Sequence, residues 1–274
     1  MHPTIARACL AVPLAVTLTA VLAAQQTAPP EPPKVLNIVV EYLKPGVSLS
    51  QHAVTEKAFS NTSKLTQQQT HYIGMDSLTG QPRALFFSGY DSFEAWGKDQ
   101  NITTNGLLGS AFDADAIADG QNLSGMTTNV FAYHPEMSVH AAQDIPHARF
   151  FEISRFTVRA GHEGEWNDLA KIYTDYYSNQ PSAHWATYES VYGMDNGGVY
   201  LVITPMKSLA EVDQSRAMGE QMMKSLGPEG MKKAGALAAA CIEASMTNVF
   251  AIDPRMSYAS DDWSNADPEF WGQH

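Results

Sequence analysis

The chain has little cysteine, little positive charge and no familiar catalytic signature, and each shortage excludes something. Two of its 274 residues are cysteines. Cys9 falls inside an apolar N-terminal run, so the body of the protein keeps only Cys241 and has no internal disulfide. Cys241 lies in the Ala-rich stretch GALAAACIEAS with no base beside it, which reads as a buried, inert thiol. Lysine and arginine total 17 against 29 acids. So acidic a chain repels nucleic acid and anionic membrane surfaces, and neither is expected as a partner. GxSxG, HExxH, CxxC and phosphate-loop patterns are missing. The three histidines of HPEMSVHAAQDIPH (His134, His140, His147) are too widely spaced for a compact zinc motif, and no metal or cofactor is expected. Twelve methionines read as core filling rather than copper ligands.

One apolar run is present. Residues 1–24 combine Arg7, an uninterrupted stretch from Ala8 to Ala24, and small residues at Ala23 and Ala24. That is the pattern of a cleaved signal peptide, giving a soluble periplasmic or secreted product. The run contains Pro13 and is short of the roughly 20 residues that span a bilayer. Cys9 is mid-run rather than at the cleavage point, so no lipid anchor and no membrane association after cleavage are expected. Residues 25–34, QQTAPPEPPK, form a Pro-rich linker.

The rest of the chain repeats. MTTNVFAYHPEMS at 126–138 returns as MTNVFAIDPRMS at 246–257, about 119 residues later, which is one domain's length. Each half reads in the same order. Val35–Leu43 is a strand ended by Lys44-Pro45-Gly46, and Arg149–Val158 is a strand ended by Arg159-Ala160-Gly161. A helix follows each: a weakly amphipathic one over 46–65, and a stronger one carrying Trp166, Leu169, Ile172 and Tyr173. A hairpin comes next in each half, around Thr79-Gly80-Gln81-Pro82 and around Met194-Asp195-Asn196-Gly197. Ser92 and Ser208 then open helices as N-caps. The stretch 100–124 predicts one short helical piece near Phe112–Ala118, whereas Gly227-Pro228 divides two firm helices in the second half. Each half closes on the repeated strand. Strand, helix, two strands, helices, strand is the split βαβ order of ferredoxin-like units, here 35–139 and 147–257, with an acidic aromatic tail at 258–274 that packs through its aromatics.

On this order and this repeat the chain resembles the dimeric α/β-barrel superfamily, in particular its antibiotic-biosynthesis-monooxygenase-like proteins. The resemblance covers about 35–257. It implies an α+β fold in which two tandem ferredoxin-like units form one intramolecular barrel. It also implies a small, largely apolar ligand and cofactor-free oxidation as the chemistry. Peroxidase-type relatives that bind haem suggest an alternative, with His184 or His162 as the axial ligand. A non-catalytic interaction module is a third reading, and a homodimer is possible in this superfamily.

The candidate site follows from uncovered sheet faces. A ferredoxin-like sheet carries helices on one face, so two units can cover each other and enclose a cavity. Polar residues on the first strands, Asn37 and Glu41 with Glu152 and Ser154, are expected to face that cavity while Leu36, Ile38, Phe151 and Ile153 pack on helices. Glu152 or His184 is the expected general base. His71, Asn129 and Asn248 complete the expected ligand-binding set, with Asn37 or Asn248 placed to hold an oxyanion.

Overall fold

The computed structural model describes residues 29–105, 107–195 and 198–272. The expected signal segment, the start of the expected linker and the Asn196-Gly197 pair lie outside these. Eight antiparallel strands close into one barrel in the order β1-β3-β2-β8-β5-β7-β6-β4. The first unit supplies β1 (Val35–Leu43), β2 (Tyr72–Ser77), β3 (Arg83–Tyr90) and β4 (Leu123–Tyr133). The second supplies β5 (Phe150–Val158), β6 (Ala186–Tyr192), β7 (Val199–Met206) and β8 (Ile242–Ile252). Within each unit the order is that of a ferredoxin-like sheet. The seams between units are β2–β8 and β4–β6.

The helices lie outside. They are α1 (Leu49–Leu65), α2 (Phe93–Asn105) and α3 (Leu107–Asp119) in the first unit, and α4 (Glu163–Tyr177) and α5 (Ala210–Cys241) in the second. Gly227, at φ 62°, breaks α5 where the Gly-Pro pair predicts it. The 100–124 stretch is more helical than its composition suggests, since α2 and α3 occupy most of it. Ser92 caps as expected, its Oγ accepting from the Ala95 N–H (3.1 Å). Ser208 does not: the longer Glu211 side chain reaches back and accepts from the Lys207 and Ser208 N–H groups (2.7 and 3.2 Å). Two short tail helices, α6 (Asp261–Ala266) and α7 (Pro268–Trp271), dock the C-terminus. Trp271 is fully buried there and donates through Nε1 to the Pro146 carbonyl (2.8 Å).

The facing of the strands is the reverse of the expectation. Leu36, Ile38, Phe151 and Ile153 join Phe131 and Phe250 in one apolar cluster built from all eight strands, which fills the barrel. The polar alternates, Glu41, Glu152 and Ser154, point outward beneath the helices, as their contacts with helix residues show. Alternation sorts residues onto two faces but does not say which face is inside. The interior of a closed barrel is farther from water than a helix-covered outer face, so it takes the apolar set. The inter-sheet space is therefore mostly core, with a wide depression of about 1300 Å³ at one end of the barrel.

The repeated segment is the clasp between the units. His134 N–H donates to Thr187 O (2.8 Å) and Asp253 N–H to Gly74 O (3.0 Å), so each copy grips the second strand of the other unit. The serines repeat the grip: Ser138 Oγ accepts from Thr187 N–H and Ser257 Oγ from Gly74 N–H, both at 2.9 Å. The asparagines sit against the other unit's hairpin. Asn248 Oδ1 accepts from Thr79 Oγ1 (3.2 Å), and a Cβ on Gly80 would lie 2.5 Å from it. A Cβ on Gly193 would lie 2.2 Å from Thr128 O, next to Asn129. Both turn glycines also have positive φ, so these close approaches admit no side chain.

Candidate functional site

Each unit has one slot between its sheet and its helices, and the two slots are filled differently. In the second unit the slot is a cavity of about 340 Å³, within the usual range for a small-molecule site. Its floor is the outer face of β5 and β7, with Glu152, Ser154, Phe156, Val202 and Thr204. Helices α4 and α5 roof it. Trp166, Tyr173 and Tyr177 come from α4 because their spacing puts them on the buried side, and Met218 comes from α5. Trp185 closes one end, its ring edge-on to Tyr177 at 5.5 Å.

The walls mix aromatic and apolar side chains with polar ones, among them Glu152, Ser154, His184, Glu211 and Gln214. Burial alone raises the Glu152 carboxyl above its usual value, and among the described residues no cation offsets it. Ser154 Oγ is engaged with Thr247 Oγ1 (2.7 Å). Trp166 Nε1 is buried and has no partner. Such a cavity can hold an aromatic body by contact and exchange a proton with it at one point.

His184 also lines the cavity, but its nitrogens face backbone carbonyls: Nδ1 is 3.1 Å from Ser182 O and Nε2 2.7 Å from Pro205 O. A haem ligand needs a ring nitrogen free to point at the iron. His162, the other candidate, sits at the start of α4 with Nδ1 3.3 Å from Glu165 Oε1 and does not line the cavity. The residues present do not fit a haem site. As a base His184 is occupied too, which leaves Glu152.

The other expected residues scatter. Asn37 is half-buried on the outer face of β1, its Oδ1 without a partner. His71 stacks on Tyr258 (4.5 Å) at the rim of the barrel-end depression, and burial lowers its pKa. Asn129 and Asn248 belong to the seams and bond threonine hydroxyls rather than a ligand pocket. Only Glu152, Ser154 and His184 come together.

Glu41 is in the first unit's slot, where the expected ligand is replaced by a knot of side chains. His52 Nε2 lies 3.1 Å from Glu41 Oε2, 3.2 Å from Asp119 Oδ1 and 3.7 Å from Glu56 Oε1. Thr55 Oγ1 donates to Asp119 Oδ1 (2.6 Å), and Asn122 Nδ2 to Thr55 Oγ1 (3.0 Å). Burial opposes a charge on His52, but Asp119 and Glu41 overcome it and raise its pKa to about 10. Burial, then the neighbouring carboxylates, push Glu56 up to about 9. Burial also raises Glu41, while bonds from His52 and Thr55 hold Asp119 low against its own burial.

Sequence reading finds only Glu41 of this knot. The missed signal is on α1. His52, Glu56, Ser60 and Ser63 recur at helical spacing and are all buried, so the inward stripe of that helix is polar. The same stripe is why its amphipathicity is weak.

No protein-family profile and no curated protein matches the sequence. Solved structures do. A provisionally named monooxygenase from Fusobacterium nucleatum superposes with a TM-score of 0.52 at 13% identity, over 81% of this chain and 93% of that one. A second, from Lactobacillus acidophilus, gives 0.49 at 11% over 81% and 94%. Chlorite dismutase from Candidatus Nitrospira defluvii gives 0.46 at 9% over 85% and 95%. At these identities the likeness is one of fold: an α+β tandem barrel of the dimeric α/β type.

Proposed function

We propose that this protein binds a small, largely apolar molecule in the cavity of its second unit. The observation that carries the reading is a buried carboxyl, Glu152, in a cavity walled by Phe156, Trp166, Tyr173 and Trp185, while the other lining carboxyl, Glu211, is held by the Lys207 and Ser208 N–H groups. Aromatic walls supply affinity with little directional demand, and one polar group then sets orientation. The complementary molecule is an aromatic or fused-ring compound with one exchangeable proton that faces Glu152. An acceptor on it would satisfy the unpartnered Trp166 Nε1.

The fold neighbour named as a monooxygenase suggests what chemistry to test, by analogy of fold alone. In a cofactor-free oxidation Glu152 would remove the substrate's proton, and its burial makes the carboxylate a stronger base than an exposed one. The N-terminal segment supports an extracytoplasmic setting, which N-terminal sequencing of the exported product checks.

Binding is tested with a neutral fluorescent naphthalene and the purified chain. Saturable one-to-one binding is expected, weakened at least tenfold when Ala170→Phe fills the cavity, with Glu152→Gln retaining most of the affinity. Equal binding by Ala170→Phe would refute this site. Dioxygen uptake with a hydroxylated fused-ring aromatic, lost in Glu152→Gln, would separate enzyme from binder.

A further inference from the structure

We propose that Glu41, His52, Glu56 and Asp119 bind one divalent first-row transition ion. This second site is independent of the ligand cavity. The four offer one ligand atom each, and those atoms all lie within 4.8 Å of one another. Ligands held at about 2.1 Å from a metal in tetrahedral or octahedral geometry stand roughly 3.0–3.4 Å apart. Two of the three separations from His52 Nε2, 3.1 and 3.2 Å, fall in that range, and the third, 3.7 Å, is a small side-chain adjustment away.

Hydrogen bonding accounts for only part of the arrangement: His52 bonds Glu41, and protonated Glu56 can share its proton with Asp119. His52 Nε2 has at most one hydrogen, and three carboxylates face it. Among the described residues no lysine or arginine pairs with any of the three. Glu56 Oε1 points into the knot with no hydrogen-bond partner, although the residue is only 3% exposed. A buried carboxylate oxygen left this way costs free energy that a coordinated cation would recover.

The donor set narrows the ion. Three carboxylates and one imidazole suit Mn²⁺, Fe²⁺ or Zn²⁺ better than a soft ion, which would draw sulfur, or Ca²⁺, which takes more oxygens. The position narrows the role. The ligands come from β1, α1 and the last turn of α3, and all four are buried. A closed, fully protein-ligated site is structural. The ion would tie α1 and α3 to the sheet of the first unit.

The test uses the full chain after dialysis against a chelator. Mn²⁺, Zn²⁺ and, without oxygen, Fe²⁺ are titrated separately, with stoichiometry by calorimetry and stability by thermal melting. The expected result is one ion per chain for at least one metal, with a rise in Tm of several degrees. Glu56→Gln, which keeps shape and removes charge, should bind at least about tenfold more weakly, as should Asp119→Asn. Circular dichroism confirms that both variants fold. The proposal fails if no metal binds or raises Tm, or if both variants keep wild-type affinity.

Discussion

Ser257 shows what a single residue contributes. Its hydroxyl donates to the Asp253 carbonyl (2.8 Å) and accepts from the Gly74 N–H (2.9 Å), with no solvent exposure. Ser257→Ala therefore removes two bonds and leaves a buried amide of β2 unsatisfied. The expected cost is about 1–3 kcal/mol, read from chemical denaturation. An unchanged midpoint would show that the clasp does not depend on it. Ser138 holds Thr187 in the same way, so the Met-Ser ending of both repeats has a structural cause. From the sequence the repeated serines were visible; that each bonds the other unit was not, because their partners lie 49 and 183 residues away.

At the scale of elements, the two seams are related but not equal. In the β4–β6 seam His134 sits between Glu136 (2.7 Å) and Glu189 (2.8 Å). Burial opposes its proton, yet the two carboxylates hold its pKa above the usual value. In the β2–β8 seam the corresponding residues are Asp253 and Asp76. Burial first, and then the Asp253 charge, raise Asp76 to about 7 from 3.8. Both effects have one sign. The His134 pairing stabilises fully below the unfolded value near 6.5 and is lost as pH rises through the folded one. Asp76 keeps its proton in the fold while the unfolded chain ionises, so stability falls from about pH 4 to about pH 7 and the loss persists above. Asp76→Asn should flatten stability across that interval and raise Tm at pH 8. A variant that stayed parallel to wild type from pH 4 to 8 would contradict the shift.

For the whole molecule, closure is what the duplication accomplishes. Neither unit has a closed sheet alone: β2 and β4 of one are completed by β8 and β6 of the other. Residues 147–272 expressed alone would expose two strand edges and an apolar sheet face, and are expected to self-associate. Light scattering checks this, and a stable monomer would argue that the barrel is dispensable. The slots have diverged on this common frame. Counting back from the turn glycines Gly46 and Gly161, Glu41 corresponds to Phe156. One position thus carries a buried carboxylate in the first unit and an aromatic cavity wall in the second.

Local sequence was enough for the elements and their order. The β1 and β3 strands fall where their apolar and β-branched runs begin and end, and the period of the repeat fixes two ferredoxin-like units, because strand and turn preferences act over a few neighbouring residues. Sequence alone also singled out Glu152, but assigned it to the inter-sheet space rather than to the slot beneath α4 and α5. Tertiary structure decided which face of each strand lies inside, where the clasp closes, and that Glu41 meets His52, Glu56 and Asp119. Closure sets the first, since it gives the driest space to the apolar alternates. The other two depend on side chains brought together from distant elements, and no local pattern records that distance.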